Sequence, residues 1–464
     1  MPIARLVVAV IVVLSGRVGL AEDAKALVKA GENDAKPQAA VKAPFPYVWG
    51  KAFHVLPETH NNESGYFSLS EGVDGKIHVG TAKYGDNAYL VEFDPKTEKQ
   101  RVLIDVHKVC GLTARGYAAQ AKIHTRNYVG PSGVVYVGSK QGYPLDKHDT
   151  AKYPGGYIIT HDPKTGATRN HGMPFKEQGV ADVLADELRG LLYVVTCEDQ
   201  HWMLHDLKAN ADVPAEQKKY RELGPMLTPY ATTLIDGKGR ANAITKDFQL
   251  AQYDPETKKV TTRPILVRHA GAADAAGQKW TRANTSAIPT WNLAADGRTA
   301  YLILMNDPTL LAIDLHSEGE TVAAASHGKL IEGKNPDSRC ALTIEPVRKD
   351  DKGNVIGGRI YALVRVDNET GYGKGYLHHL LRFDPKTNKQ ENLGVLVVKN
   401  PDFFDWNKKL PDGKPWPWTH GFHKLPDGAL TPLHAHMALL AGRDGSIWAT
   451  IIYPFALVKV DPIP

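Results

Sequence analysis

The sequence predicts an all-β fold, a seven-bladed β-propeller with four antiparallel strands per blade and a ring closed by an N-terminal strand. Three observations predict it. A strand-turn phrase that reads Phe-Asp-Pro-Lys-Thr in its clearest copies recurs along the chain. A second phrase, two strands around a Gly-containing turn, precedes it by roughly one hairpin. The two together repeat about every 40–60 residues, room for four short strands.

The first phrase is clearest in Tyr89-Leu-Val-Glu-Phe-Asp-Pro-Lys-Thr97, Tyr157-Ile-Ile-Thr-His-Asp-Pro-Lys-Thr165, Leu250-Ala-Gln-Tyr-Asp-Pro-Glu-Thr257 and His379-Leu-Leu-Arg-Phe-Asp-Pro-Lys-Thr387. Weaker copies start at Trp202, Leu310 and Ala456. In each, Asp can accept from the backbone two residues on, and Pro presets φ at the first corner. The second phrase is seen in Phe67–Val79, Asn127–Tyr136, Leu293–Leu302 and Ala438–Trp448. Asp-Gly between apolar strands is the strongest short hairpin signal. The expected blades span about 60–110, 117–176, 177–225, 226–272, 283–335, 336–400 and 430–464. The last stops just after its Asp-Pro turn and lacks an outer strand. Lys51–Leu56 is strand-like and is expected to supply it, closing the ring and removing exposed edges.

The N-terminus reads as a processing signal. Met1–Arg5 is a short positive segment, Leu6–Leu14 a continuous apolar run, and Gly19-Leu20-Ala21 a small-x-small cleavage site. Residues 1–21 are expected to be a signal peptide, 22–44 a flexible leader, and 45–464 a single propeller domain. The protein is then secreted or periplasmic, with no membrane span after signal removal. A net charge of +5 over 464 residues is too dilute to argue for nucleic acid. Cys110, Cys197 and Cys340 have no C-x-x-C spacing and read as buried thiols.

In such a blade, the segment leading into the innermost strand and the loop between second and third strands open on one face. These positions carry the candidate binding residues His60, Lys83, Tyr84, Lys140, Tyr143, His201, Lys246, Trp291, Arg365 and Tyr453, together with His124, Arg126, Tyr230 and Arg339. A propeller mouth rich in such groups is a site hypothesis. Trp291 reads either as packing or as a sugar platform. The recurrence of Lys83, Lys140 and Lys246 reads either as repeat ancestry or as chemistry. His434 and His436 alternate onto one strand face, the arrangement of a structural divalent metal site.

The phrase Lys122-Ile-His-Thr125, the Gly-Tyr-rich loop after it and the Asp-Pro-Lys-Thr turns resemble secreted bacterial seven-bladed propellers. Among these are polysaccharide lyases acting on uronate, ulvan and oligogalacturonate-like glycans. The resemblance implies His, Tyr and Arg at work on the open face, an acidic polysaccharide or oligosaccharide as partner, and no required cofactor. Within it, His124 is expected as base, Tyr230 as acid, and Arg339 or Arg126 as clamp for the uronate carboxylate. Two alternatives stay open. One is a non-catalytic propeller that binds glycan or protein. The other is a metal-dependent hydrolase or lactonase, with Glu63, Asp199 and Asn306 as candidate ligands.

Overall fold

The computed structural model describes residues 42–464 apart from 62, 270–277, 280–287, 340, 400–402, 404–408, 410–412, 414–421, 433–434 and 453–454. The expected signal peptide, nearly all of the leader, Cys340, His434 and Tyr453 lie outside the described residues, as does the side chain of His436.

The described chain is nearly all β. Strand β1 (Tyr47–His54) opens it. An antiparallel meander follows: β2 (Glu63–Glu71), β3 (Ile77–Ala82), β4 (Tyr89–Asp94) and β5 (Lys99–Asp105). The next starts as two short pieces, β6 (Lys122–Ile123) and β7 (Tyr128–Val129). It continues through β8 (Val135–Lys140), β9 (Ile158–His161) and β10 (Thr168–Asn170). Then come β11 (Val180–Asp186), β12 (Leu191–Thr196), β13 (Trp202–Asp206) and β14 (Arg221–Glu222). These lead to β15 (Leu234–Ile235), β16 (Ala241–Ile244), β17 (Gln249–Asp254) and β18 (Lys259–His269). The following meander is β19 (Pro289–Leu293), β20 (Thr299–Leu304), β21 (Asp307–Asp314) and β22 (Val322–Lys329). After it come β23 (Leu342–Ile344), β24 (Ile360–Asp367), β25 (Tyr376–Asp384) and β26 (Lys389–Val398). The chain ends on β27 (Ala435–Ala441), β28 (Ile447–Ile451) and β29 (Ala456–Val460).

The repeated turn folds as its sequence requires. Asp94, Asp162, Asp254 and Asp384 each accept through Oδ1 from the N–H two residues on, at 2.8–2.9 Å. Glu98, Gly166, Lys258 and Asn388 then share the left-handed conformation at one register of the turn. Strands in the middle of a meander are buried on both faces, as in Ile77–Ala82, whereas the outer Lys99–Asp105 alternates toward solvent. This is why the inner strands read as continuous apolar runs.

The core is a series of clusters, each lying between consecutive meanders. Tyr136 and Ile158 pack on Val180 and Met203. Tyr193 and Trp202 pack on Ala241 and Tyr253. Trp448 and Phe455 pack on Val79 and Phe93, joining the end of the chain to its beginning. Inter-sheet contacts near the innermost strands run in the same sequence. Ser68 Oγ donates to Asn127 Oδ1 (2.7 Å), and Arg126 bridges Asp182. Thr233 N donates to Asp182 Oδ2 (2.7 Å), and Trp291 Nε1 to Thr232 O (3.1 Å). Asn292 reaches Leu342 O (2.8 Å), and Ala441 N reaches Thr343 Oγ1 (3.1 Å). Finally Arg443 N donates to Glu71 Oε2 (3.0 Å). The meanders therefore stand in a closed, propeller-like ring.

The N-terminal closure holds, starting slightly earlier than the sequence suggests. β1 pairs antiparallel with β29, Gly50 opposite Val460 and Ala52 opposite Val458. It also runs parallel to β26, Tyr47 opposite Val395. Gly50 is needed at this crowded junction, since a Cβ there would stand 2.5 Å from Val458 Cγ1. Among the described residues no helix is long and apolar enough to cross a membrane.

Removing residues 1–54 uncovers the edges of both β29 and β26. The expected outcome is a lower Tm and concentration-dependent association on size-exclusion chromatography. A monomer with unchanged Tm would show that β1 does not close the ring.

Candidate functional site

The site is built from the segments that lead into the innermost strands. Several are irregular. Register shifts interrupt the ladder between Ser64 and Leu69, and between Val180 and Asp182. Tyr66 (φ 69°), Tyr230 (φ 56°) and Arg339 (φ 44°) take the left-handed conformation. For a bulky residue this costs on the order of 1–3 kcal/mol and persists only where its surroundings hold it. Beside Arg339, Ser338 N donates to Met305 O (2.6 Å) and Ser338 Oγ to Leu304 O (3.0 Å).

His124 is 3 % exposed and sits among aromatic rings. Tyr230 stacks on it at 5.6 Å and 26°. Tyr66 lies at 4.9 Å and Phe67 edge-on at 5.4 Å. Lys122, two residues earlier and so on the same face, is caged by tyrosines. Its Nζ stands 4.8 Å from the ring centre of Tyr66 and 4.6 Å from those of Tyr84 and Tyr143. Desolvated cation–π contacts of this kind are worth about 2 kcal/mol or more. The two expected groups Tyr84 and Tyr143 thus meet Lys122, and the expected base and acid, His124 and Tyr230, meet each other.

A second arm carries arginines. Asp337 Oδ2 is 2.8 Å from Arg339 Nε and 3.1 Å from Arg365 Nη2. Arg365 lies over the Tyr376 ring at 4.3 Å, and His378 faces it across the ladder. Burial, then the charges of Arg365 and Arg339, hold the His378 imidazole well below its ordinary pKa. Met305 links the arms, because it packs with Phe67 and Tyr230 and accepts from Ser338 N. Arg126 crosses between non-neighbouring sheets, with Nη2 on Thr290 Oγ1 and Nη1 3.4 Å from Trp291 O. Burial pushes the Asp182 carboxyl up to about 6, against the pull of Thr233 N–H and of Arg126.

Other expected site residues have structural partners. His60 is buried, with Nε2 2.9 Å from Val55 O and its ring against Phe455; burial lowers its pKa to about 4. Lys83 Nζ donates to Glu58 O (3.0 Å). Lys140 Nζ is held by Glu198 Oε1 (2.8 Å) and Cys197 Sγ (2.6 Å). His201 stacks on Phe175 at 4.1 Å and pairs with Glu222 Oε1 at 2.7 Å. Lys246 is exposed on its loop. Trp291 is a core residue, not a sugar platform: it is 2 % exposed, packs with Phe248 and Leu302, and spends its N–H on Thr232 O. Among the described residues no group of three or more His, Cys, Asp or Glu side chains could hold a metal ion. The proposed pair His434 and His436 lies outside that description.

Lys122, Tyr66, Asp337, Tyr376 and His378 belong to the site but were not singled out from sequence. Only Lys122 had a local signal, its alternation with His124. The others are brought in by pairings far apart in the chain.

No known protein-family model matches the chain, and no curated protein matches it. Solved structures are similar to it in fold only distantly. One is the extracellular domain of a hybrid two-component system from B. thetaiotaomicron, with 11% identity over 89% of this chain and 41% of that one, TM-score 0.45. The chain thus spans about two fifths of that protein's length. A fungal alcohol oxidase of the AA5 family in complex with copper shows 12% identity over 89% and 76%, TM-score 0.48. The Cps50 (Swd1) β-propeller domain of Myceliophteria thermophila shows 10% over 89% and 99%, TM-score 0.46.

Asp182 makes a pH prediction. Its folded pKa lies above the ordinary carboxyl value, so the native state keeps this proton while the unfolded chain has lost it. Its contribution to stability is therefore lost as pH rises from about 4 to above 6, on the order of 3 kcal/mol in all. Asp182→Asn abolishes that slope and can still accept from Thr233 N. Urea unfolding of both proteins at stepped pH measures it; a wild-type minus variant difference that stays flat would contradict the assignment.

Proposed function

We propose that the protein is an exported seven-bladed propeller whose mouth binds and cleaves uronic-acid-containing polysaccharide by β-elimination. The observation that carries this reading is the stacked His124–Tyr230 pair, set on a face that also bears Arg339, Arg365 and the caged Lys122. A cationic mouth favours an anionic glycan, and aromatic rings favour sugar faces. The seven-blade count rests on the meanders and their closure by β1.

The chemistry follows from those groups. His124 takes the C5 proton beside the uronate carboxylate. Arg339, with Arg126 as the other candidate, neutralises the carboxylate so that charge developing at C5 is stabilised. The C4–O bond then breaks, a C4=C5 double bond forms, and Tyr230 delivers a proton to the departing oxygen. Asp337, shared by Arg339 and Arg365, positions both guanidinium groups. No step is routed through a metal or cofactor.

The product absorbs in the ultraviolet because its new double bond is conjugated with the carboxylate. Incubation with a panel of uronic-acid polysaccharides should give rising absorbance. His124→Ala should lower the rate by about 10²–10⁴-fold with the fold intact by circular dichroism, and Tyr230→Phe should lower it as well. Unchanged activity in His124→Ala would remove the proposed base. A flat trace for the wild type with glycan binding retained would replace the lyase by a binding module.

A further inference from the structure

Lys140 and Cys197 come together from consecutive meanders on the side of the ring that carries the mouth. Lys140 ends β8, and Cys197 follows β12. The Nζ–Sγ separation is 2.6 Å. That is short even for an N–H···O hydrogen bond, about 2.7–3.2 Å, and sulfur is a larger atom than oxygen. It is also much longer than a direct bond. Two single bonds of about 1.5 and 1.7 Å meeting at about 110° span about 2.6 Å, so the gap fits one bridging atom.

The surroundings hold both partners in that position. Cys197 is 5 % exposed, and its N–H donates to Gly179 O at 2.8 Å. The Lys140 stem lies against Gly179, where a Cβ would stand 2.6 Å from Lys140 Cγ. Glu198 Oε1 is 2.8 Å from Nζ. Gln141 Nε2 and Gly179 N donate to the same carboxylate, each at 2.7 Å, and fix it in place. A lysine nitrogen, a cysteine sulfur and a carboxylate are thus immobilised together.

We propose that Lys140 and Cys197 are joined by an oxygen atom, as a reversible nitrogen–oxygen–sulfur cross-link formed with dioxygen. The Lys140 ammonium first loses a proton to water. The amine then loses one hydrogen and the thiol loses one. One oxygen atom of dioxygen becomes the bridge, and the other leaves with those two hydrogens as water. Nitrogen and sulfur each give up two electrons, and dioxygen takes the four. Two equivalents of a dithiol, each oxidised to a disulfide, supply the four electrons and four hydrogens that reopen the link to amine and thiol, with the oxygen released as water. The cross-link staples the end of β8 to the loop after β12, so oxidation stiffens one side of the mouth. This inference does not rest on the lyase reading.

Intact-mass spectrometry of protein purified in air without reductant tests it. The expected mass is that of the reduced chain plus one oxygen and minus two hydrogens, returning to the reduced mass with dithiothreitol. Peptide mapping should find the residue 140 and residue 197 peptides joined. Lys140→Arg and Cys197→Ser should each lack the modification, and reductant should lower the Tm of the wild type only. Cys110, packed in a separate apolar cluster, is the internal control. An unmodified mass after exposure to air overturns the proposal. So does oxygen added to Cys197 without loss of hydrogen, and so does a disulfide, which loses two hydrogens and gains no oxygen.

Discussion

Arg126 is the group on which the arrangement of the mouth depends. It follows His124 by two residues, its backbone forms a parallel β-bridge with Asp182 on the neighbouring inner strand, and its guanidinium reaches across to Thr290 and Trp291 on a sheet that is not its neighbour. A guanidinium has five donors in a rigid fork, so one side chain can tie several strands at once. A buried charge persists only when it is paired and hydrogen-bonded. The Arg126 charge draws the Asp182 carboxyl down against the larger effect of burial, and Asp182 is itself held by Thr233 N–H. Four segments meet there, those that carry His124, Asp182, Tyr230 and Trp291. Displacing Arg126 therefore shifts the proposed base and acid relative to each other.

The two arms of the mouth are built by different physics. Around His124 the contacts are aromatic, and the cation they hold, Lys122, is stabilised by ring faces. Around Arg339 and Arg365 the contacts are ionic, with one carboxylate shared by two guanidinium groups. An acidic sugar has both characters, apolar ring faces and a carboxylate, which is the chemical reason for matching this mouth to a uronate. The left-handed conformations of Tyr66, Tyr230 and Arg339 fit the same picture, because strain is tolerated where side-chain placement matters more than backbone comfort.

Local order was readable from sequence because local hydrogen bonds produce it. Asp94, Asp162, Asp254 and Asp384 each bond two residues ahead, so four letters suffice to place the turn. The strand-like Lys51–Leu56 and the missing partner of Ala456–Val460 pointed to the closure by β1, since unpaired edges are costly and the ends of a ring must meet. His124 and Tyr230 were paired as base and acid from sequence, and their rings do meet; Tyr84 and Tyr143 were named only as separate candidates on the same face. What sequence could not give was which polar groups satisfy one another. Lys140 and His201 look like free surface ligands in the chain, but Lys140 meets Glu198 and Cys197, and His201 meets Glu222. Trp291 looks like a platform, yet its indole N–H is spent on Thr232 O in the neighbouring core. Asp337, remote from Arg365 in sequence, became part of the site only through a bridge between a lead-in segment and β24.

Arg126 and Asp182 act as one strut, through their backbone bridge and the pull of the Arg126 charge on the carboxylate. A double-mutant cycle with Arg126→Met and Asp182→Asn, followed by urea unfolding at neutral pH, measures their coupling directly. Attraction between the Arg126 charge and the buried Asp182 carboxylate predicts an interaction free energy of about 0.5–3 kcal/mol. Additive effects, with coupling below about 0.5 kcal/mol, would contradict the strut and with it the positioning of His124 and Tyr230.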